Sequence, residues 1–313
     1  MKFRSLPFCV NSSAPAVLNI RTCLPEKLSE MNKPFAINIA RSAGFCFGVR
    51  RAIRIAQKTA RPGRKIHMLG DLVHNQDVMK DLEKSGIKKI FRLGLGRGQT
   101  LLIRAHGAAK CLIRQARRRG YAVVDATCPM VKAIHSIVRR MNQKGYRIIV
   151  LGDRQHEEVQ GIVGQISGKT LVIDQISHIP WLQIKKLKKA AILVQSTQNI
   201  DHILPIVNAL RKGIKEIKFF NTICRPTRMK QAEIKTMARK HDVVIVIGSR
   251  TSANTRRLYE ISRALNPDSH WIESAGEVKA GWFKKTESVA ITAGASTPDS
   301  TTQSVVARIR AIK

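Results

Sequence analysis

Short apolar runs, each closed by small and polar residues, limit what this chain can fold into more than any other feature. They occupy residues 35–40, 65–69, 100–104, 122–124, 147–151, 170–173, 191–194, 216–220, 243–247 and 289–292. They are rich in β-branched side chains and bounded by turn residues, which predicts strands. Helical patterns lie between several of them. Val49, Ala52, Ile53 and Ala56 recur on one helix face while Arg50, Arg51 and Arg54 point elsewhere, and Val131, Ile134, Ile137, Val138 and Met141 repeat the pattern. Strands alternating with helices predict parallel βαβ units and an α/β fold. No apolar run approaches the ~20 residues of a membrane helix, so a helical membrane protein is excluded.

In open α/β sheets, ligands collect beyond the carboxyl ends of the strands. Here those ends read AGFCFG with Cys46, LVHNQ with His74, RAHG with His106, DATCP with Cys128, and GDRQHEEVQG with His156 and Glu158. They continue with VQSTQ (Ser196, Thr197), NTICRPT (Cys224), GSRTSANT (Ser252, Asn254) and TAGAST (Ser296). A purely structural scaffold has no need of reactive groups at so many strand ends. Cys46, Cys128 and Cys224 each follow a strand and open a predicted helix, at separations of 82 and 96 residues, which points to three similar modules. A thiolate is favoured at a helix N-terminus. Three such thiolates suit an iron–sulfur cluster with one open iron, or a catalytic zinc with one water. Cys111, inside AKCLIRQA, reads as a core residue, and Cys9 and Cys23 carry no argument. Histidine, serine, threonine and asparagine donors are what an anion such as a diphosphate needs when no metal holds it. Glu158 would repel that anion unless protonated, which makes it a proton donor.

Charge narrows the partners. With 56 Lys and Arg against 21 Asp and Glu, the formal charge is +35, so something acidic is expected nearby. Nucleic acid is not the expected partner: only 5% of residues are aromatic, and no RRM, KH or zinc-finger signature is present. Six cysteines without a close CxxC pair do not make a disulfide scaffold or a zinc ribbon. Residues 1–34 read as a disordered leader or as a start placed upstream of Met31. No apolar core follows Arg4, which argues against a secretory signal, while the lack of acids before Glu26 keeps a transit peptide as an alternative.

Taken in order, GFCFGV, VHN, AHG, DATCP, HEEVQG, NTIC and TAGAS resemble the LytB (IspH) family of 4-hydroxy-3-methylbut-2-enyl diphosphate reductases, from about Phe35 to Ile312. The resemblance implies three α/β modules with pseudo-threefold symmetry around a central iron–sulfur cluster. They would span residues 35–127 with Cys46, 128–222 with Cys128, and 223–313 with Cys224, the C-terminal segment returning to the first. It implies one 4Fe–4S cluster held by Cys46, Cys128 and Cys224 with an open apical iron, and Glu158 as the acid. It assigns His74, His106, His156, Ser196, Thr197, Ser252, Asn254 and Ser296 to substrate binding. The reaction would be reductive dehydration of the allylic diphosphate to isopentenyl and dimethylallyl diphosphates, the last step of the non-mevalonate isoprenoid pathway. A ferredoxin or flavodoxin would supply electrons, in a bacterial cytoplasm, or in a plastid-like organelle if residues 1–34 are a transit peptide.

The chain departs from that family pattern in places. Glu157 stands where the family usually has proline, and as a second carboxylate it is expected to raise the pKa of Glu158. Ala253 removes a hydroxyl from a serine–serine–asparagine run, which puts tight diphosphate binding in question. Pro226 replaces an alanine, and Lys230 replaces an arginine. The competing readings are another three-cysteine cluster enzyme of the quinolinate-synthase kind, a nucleic-acid-binding protein and a zinc enzyme.

Overall fold

The computed structural model of the protein describes residues 35–60 and 63–312, and among these residues the strands form three four-stranded parallel sheets. The described residues fall in one compact unit, Pro34–Lys313. The readings made for residues 1–34, Cys9 and Cys23 lie outside them.

The chain opens with β1 (Ala36–Ile39) and α1 (Phe47–Thr59). Next come β2 (Ile66–Leu69), α2 (Gln76–Lys84), β3 (Ile87–Ile90), β4 (Thr100–Ile103), α3 (Lys110–Arg118) and β5 (Ala122–Asp125). The middle third holds α4 (Pro129–Gln143), β6 (Arg147–Leu151), α5 (Glu157–Val163), β7 (Leu171–Ile173), α6 (Trp181–Ile184), β8 (Lys189–Val194), α7 (Ile200–Arg211) and β9 (Glu216–Phe220). The last third holds α8 (Arg225–Ala238), β10 (Val243–Ile247), α9 (Ala253–Leu265), β11 (Ser269–Ile272), β12 (Ser288–Ala293) and α10 (Asp299–Arg310). The strand orders are β3-β2-β4-β5, β7-β6-β8-β9 and β1-β12-β10-β11.

Each sheet is covered on both faces, as parallel sheets require. In β6, Ile149 and Leu151 enter one apolar cluster while Ile148 and Val150 enter another. In β10, Val243, Ile245 and Ile247 face one cluster, and Val244 and Val246 the other. In β4, Leu102 faces one side, and Leu101 and Ile103 the other. Burying such a side chain contributes roughly 1.5–3 kcal/mol.

The structure adds two strands to those expected. β3 (IKKI) and β11 (SHWI) are edge strands in their sheets. An edge strand need not be apolar on both faces, so Lys88, Lys89 and His270 broke the apolar signal. β1 pairs with β12, with Ala36 opposite Ser288 and Ile39 opposite Ile291. It therefore lies in the sheet built from residues 243–293 and not with the strands of residues 66–125, where the 35–127 module had placed it. Cys111 is exposed, not core. The packed face of α3 carries Leu112, Ile113 and Ala116, and residue 111 lies off that stripe.

Ile192 in β8 is fully buried within its sheet's core. Ile192→Ala is expected to destabilise the protein by about 2–5 kcal/mol, read as a lowered midpoint in chemical unfolding.

Candidate functional site

Each of the three cysteines stands where the chain leaves one sheet and joins the next. After β1, the chain passes Cys46 and enters α1, whose Ala52 and Ala56 pack with Ile66 and Met68 of β2. After β5 it passes Cys128 into α4, which packs on β6 and β8 through Ile134 and Val138. After β9 it passes Cys224 into α8, whose Ile234 and Ala238 pack on β10. The hydrogen bonding repeats as well. Cys46 N–H donates to Ala295 O (3.1 Å), Cys128 N–H to Ala105 O (2.9 Å) and Cys224 N–H to Ser196 O (3.0 Å). Each acceptor lies just beyond the strand that neighbours the cysteine's own strand.

Each cysteine is the N-cap residue of its helix, and none caps it through its side chain. The three thiols are free and line one cavity together with His74, His106, His156, Glu158, Ser196, Thr197, Ser252, Asn254 and Ser296. Every candidate site residue expected from the sequence therefore lines the same space. A Cβ on Gly48 would lie 2.5 Å from Cys128 Sγ and 3.9 Å from Cys46 Sγ, so these two sulfurs are close neighbours and only a glycine fits between them. Cys224 Sγ lies 3.1 Å from Thr227 Oγ1. Burial pushes the Cys128 and Cys224 thiols up, and both feel Cys46 and Glu158 as additional negative groups.

The histidines form a triangle. His74 follows β2 and stacks on His106, which follows β4, at 4.5 Å between ring centroids. His156 meets them edge-on at 5.6 and 5.5 Å. His156 is the N-cap of α5, where its Nδ1 accepts from Glu158 N–H at 3.1 Å, which places its proton on Nε2. Burial, then His106, holds His74 down to about 4; burial, then His106 and His74, holds His156 down to about 3.

Glu157 and Glu158 part company. Glu158 is 1% exposed. Its Oε1 accepts from Ser196 N–H (2.6 Å) and its Oε2 from Ser196 Oγ–H (2.7 Å). Burial raises its pKa against the pull of those two bonds. Glu157 turns to Arg104, with which it forms an ion pair. Burial opposes its ionisation, but His106 and Arg104 outweigh burial and hold its pKa down to about 2. The expectation that Glu157 would raise the pKa of Glu158 is therefore corrected: burial does that, and Glu157 is engaged elsewhere.

Polar groups crowd the other wall. Ser252 caps α9 by accepting from Thr255 N–H (3.3 Å), and Ser296 Oγ–H donates to His74 O (2.9 Å). Asn254 is 5% exposed, yet neither Oδ1 nor Nδ2 has a partner. A buried amide left so costs about 1–3 kcal/mol unless a ligand satisfies it. Ala253 lines the cavity beside it without a hydroxyl.

Three half-buried thiols from three helix ends, with room for no Cβ between two of them, suit a centre that binds thiolates. Bound metal draws off thiol protons that burial otherwise retains. Sequence reasoning missed three supporting residues: Gly48, Thr227 and Arg104. It flagged Lys230 only as a departure. Lys230 is 2% exposed, and its ammonium donates to Ser42 O, to Gly44 O (3.0 Å) and to Ala293 O (3.0 Å). Three carbonyls satisfy three ammonium protons, tying the Cys224 helix to the loop that carries Cys46.

Comparison with known proteins adds the following. A family profile described as LytB protein matches residues 37–310. The chain is 42% identical over 277 residues to a protein of Geobacter metallireducens named 4-hydroxy-3-methylbut-2-enyl diphosphate reductase, covering 88% of this chain and 97% of that one. It is 38% identical over 280 residues to the Aquifex aeolicus protein of the same name, covering 88% and 96%. A solved structure of (E)-4-hydroxy-3-methyl-but-2-enyl diphosphate reductase, described as the terminal enzyme of the non-mevalonate pathway, superposes with a TM-score of 0.66 at 37% identity, covering 88% of this chain and 99% of that one. The Plasmodium falciparum E-1-hydroxy-2-methyl-but-2-enyl-4-diphosphate reductase gives a TM-score of 0.80 at 28% identity, covering 88% of each chain.

Gly48→Ala is expected to displace the Cys128 sulfur and lower the iron retained per chain after anaerobic reconstitution. Iron retention equal to that of the parent protein would show that the space beside Gly48 is not needed.

Proposed function

The chain belongs to the LytB family, and from that premise we infer how its site works as a 4-hydroxy-3-methylbut-2-enyl diphosphate reductase. The protein is an oxidoreductase of the non-mevalonate isoprenoid pathway. Its substrate is an allylic diphosphate carrying a terminal hydroxyl. Two electrons and two protons enter, the C–O bond breaks, and water leaves. The products are isopentenyl and dimethylallyl diphosphates, according to which allylic carbon takes the second proton.

Cys46, Cys128 and Cys224 would hold one 4Fe–4S cluster with an open iron. That group supplies the electrons and a Lewis-acidic site for the hydroxyl. The remaining work falls to side chains. Glu158 holds its proton because it is buried, and passes it to the departing hydroxyl. Ser196 fixes both carboxyl oxygens, and with Thr197 orients the alcohol end. His74, His106, Ser252, Asn254 and Ser296 bind the diphosphate, and His156 closes the wall between the two ends. The convergence of three helix-capping cysteines with a buried carboxyl in one cavity carries this reading.

The electron donor is read as a ferredoxin or flavodoxin, because a net charge of +35 steers small acidic carriers to this surface. Among the described residues no helix is long and apolar enough to cross a membrane. The bacterial cytoplasm is the proposed compartment.

Glu158→Gln is expected to keep its iron but lose about 10²–10⁴-fold in turnover, the usual contribution of general acid catalysis. The sign with pH follows from the raised pKa. The donor form of Glu158 is present below that pKa, so turnover of the parent enzyme falls as pH rises through it. A glutamine variant with full turnover would remove Glu158 from the acid role. Cys46→Ser, Cys128→Ser and Cys224→Ser are each expected to abolish the iron–sulfur absorbance or the turnover of the anaerobically purified protein.

A further inference from the structure

Three buried polar atoms have no hydrogen-bond partner elsewhere in the described protein, and they face one another. They are Glu157 Oε2, His106 Nδ1 and His74 Nε2. Glu157 Oε2 lies 3.4 Å from His106 Nδ1 and 4.0 Å from His74 Nε2. The carboxylate's other oxygen, Oε1, is taken by the Arg104 guanidinium. Among the described residues the remaining nitrogen of each ring has no protein partner, and both rings line the cavity. Burying three polar groups costs several kcal/mol unless a proton or a cation joins them. A metal ion among His74, His106 and Glu157 would sit against the Arg104 cation. A proton fits better there.

We propose that Glu157 is a positioning residue for diphosphate binding: its Oε2 holds a proton on His106 Nδ1, so that the ring takes a second proton on Nε2 when the anion arrives, while Arg104 pins the carboxylate in place. The second proton comes from water. His74, stacked on His106, shares the carboxylate. The anion is thereby met by a charge-assisted donor in place of a neutral ring, and such bonds are roughly twice as strong. This inference rests on the functional reading above and deepens it at the diphosphate end.

The groups facing the pair are few. On the β2–α2 loop, Asp71 favours a charged His74 but is itself paired with Lys89 at 2.5 Å. On the β4–α3 loop, Arg104 disfavours the charge on His74. At the start of α5, His156 faces both rings, and Glu158 points away to Ser196. Glu157 is the carboxylate that bonds toward His106.

Glu157→Gln removes the negative charge that faces His106 Nδ1. The expected result in the holoenzyme at pH 8 is about a tenfold higher KM for the diphosphate substrate, with kcat within about threefold of the parent's, since one charge-assisted contact is lost. Arg104→Met leaves the carboxylate unopposed, and KM should fall below the parent's. Opposite changes in the two variants support the proposal, because a merely structural defect would not change sign. Changes in one direction, or none, overturn it. If one variant fails to retain iron, the direction seen in the other decides alone. Binding of inorganic pyrophosphate by calorimetry follows the same pair without turnover. Equal affinity in the parent and Glu157→Gln proteins at pH 8 overturns the proposal. A difference in affinity in a parent protein that does not reduce the allylic diphosphate would support the positioning role and sink the functional reading instead.

Discussion

The structure depends on three backbone hydrogen bonds made where the chain changes sheets. Each cysteine N–H reaches the carbonyl just past the neighbouring strand: Ala295, Ala105 or Ser196. Each of these bonds closes one sheet's exit against the start of a helix that belongs to the next sheet. Repeating the device three times brings three helix N-termini into one cavity. The convergence of the sulfurs is thus a property of the chain's path. It does not require the thiols to attract one another, and burial makes Cys128 and Cys224 harder to ionise alone.

That geometry has a cost the sheets must support. Thiols, histidines, a carboxyl and an asparagine with no partner are all drawn into one interior space. Parallel strands with both faces buried supply the compensating apolar contact, two clusters to each sheet. The Lys230 ammonium and the Glu233 carboxylate, which accepts from Arg41 N–H, Ser42 N–H and the Ser42 hydroxyl, both reach from α8 to the loop before Cys46. Two of the three cysteines are thereby fixed relative to each other before any ligand is present. Rigidity of this kind favours binding one centre in one orientation.

Much of this was legible in the sequence, for reasons that differ from residue to residue. Central parallel strands are apolar on both faces, so VVIVI at 243–247 announces itself, whereas the edge strand IKKI at 87–90 does not. The cysteines were legible because the same strand-to-helix context occurs three times. Cys111 was misread because LI and A mark a helix face that does not include it. The support of the site was not legible, since it joins distant positions. Lys230 meets carbonyls 188, 186 and 63 residues away. Arg104 meets a carboxylate across two helices and two strands, α3 to β6.

Glu157 and Glu158 show why adjacency in sequence misleads. Successive residues on a helix do not face each other, so the first turn of α5 sends one carboxyl outward to a guanidinium and the other inward to a serine. One is ionised far below the usual carboxylate range; the other is pushed above it. The two ends of an allylic diphosphate alcohol make opposite demands, a proton for the hydroxyl and positive charge for the phosphates. A single helical turn at the end of β6 answers both: its inward carboxyl keeps a proton, and its outward carboxylate equips a histidine to gain one.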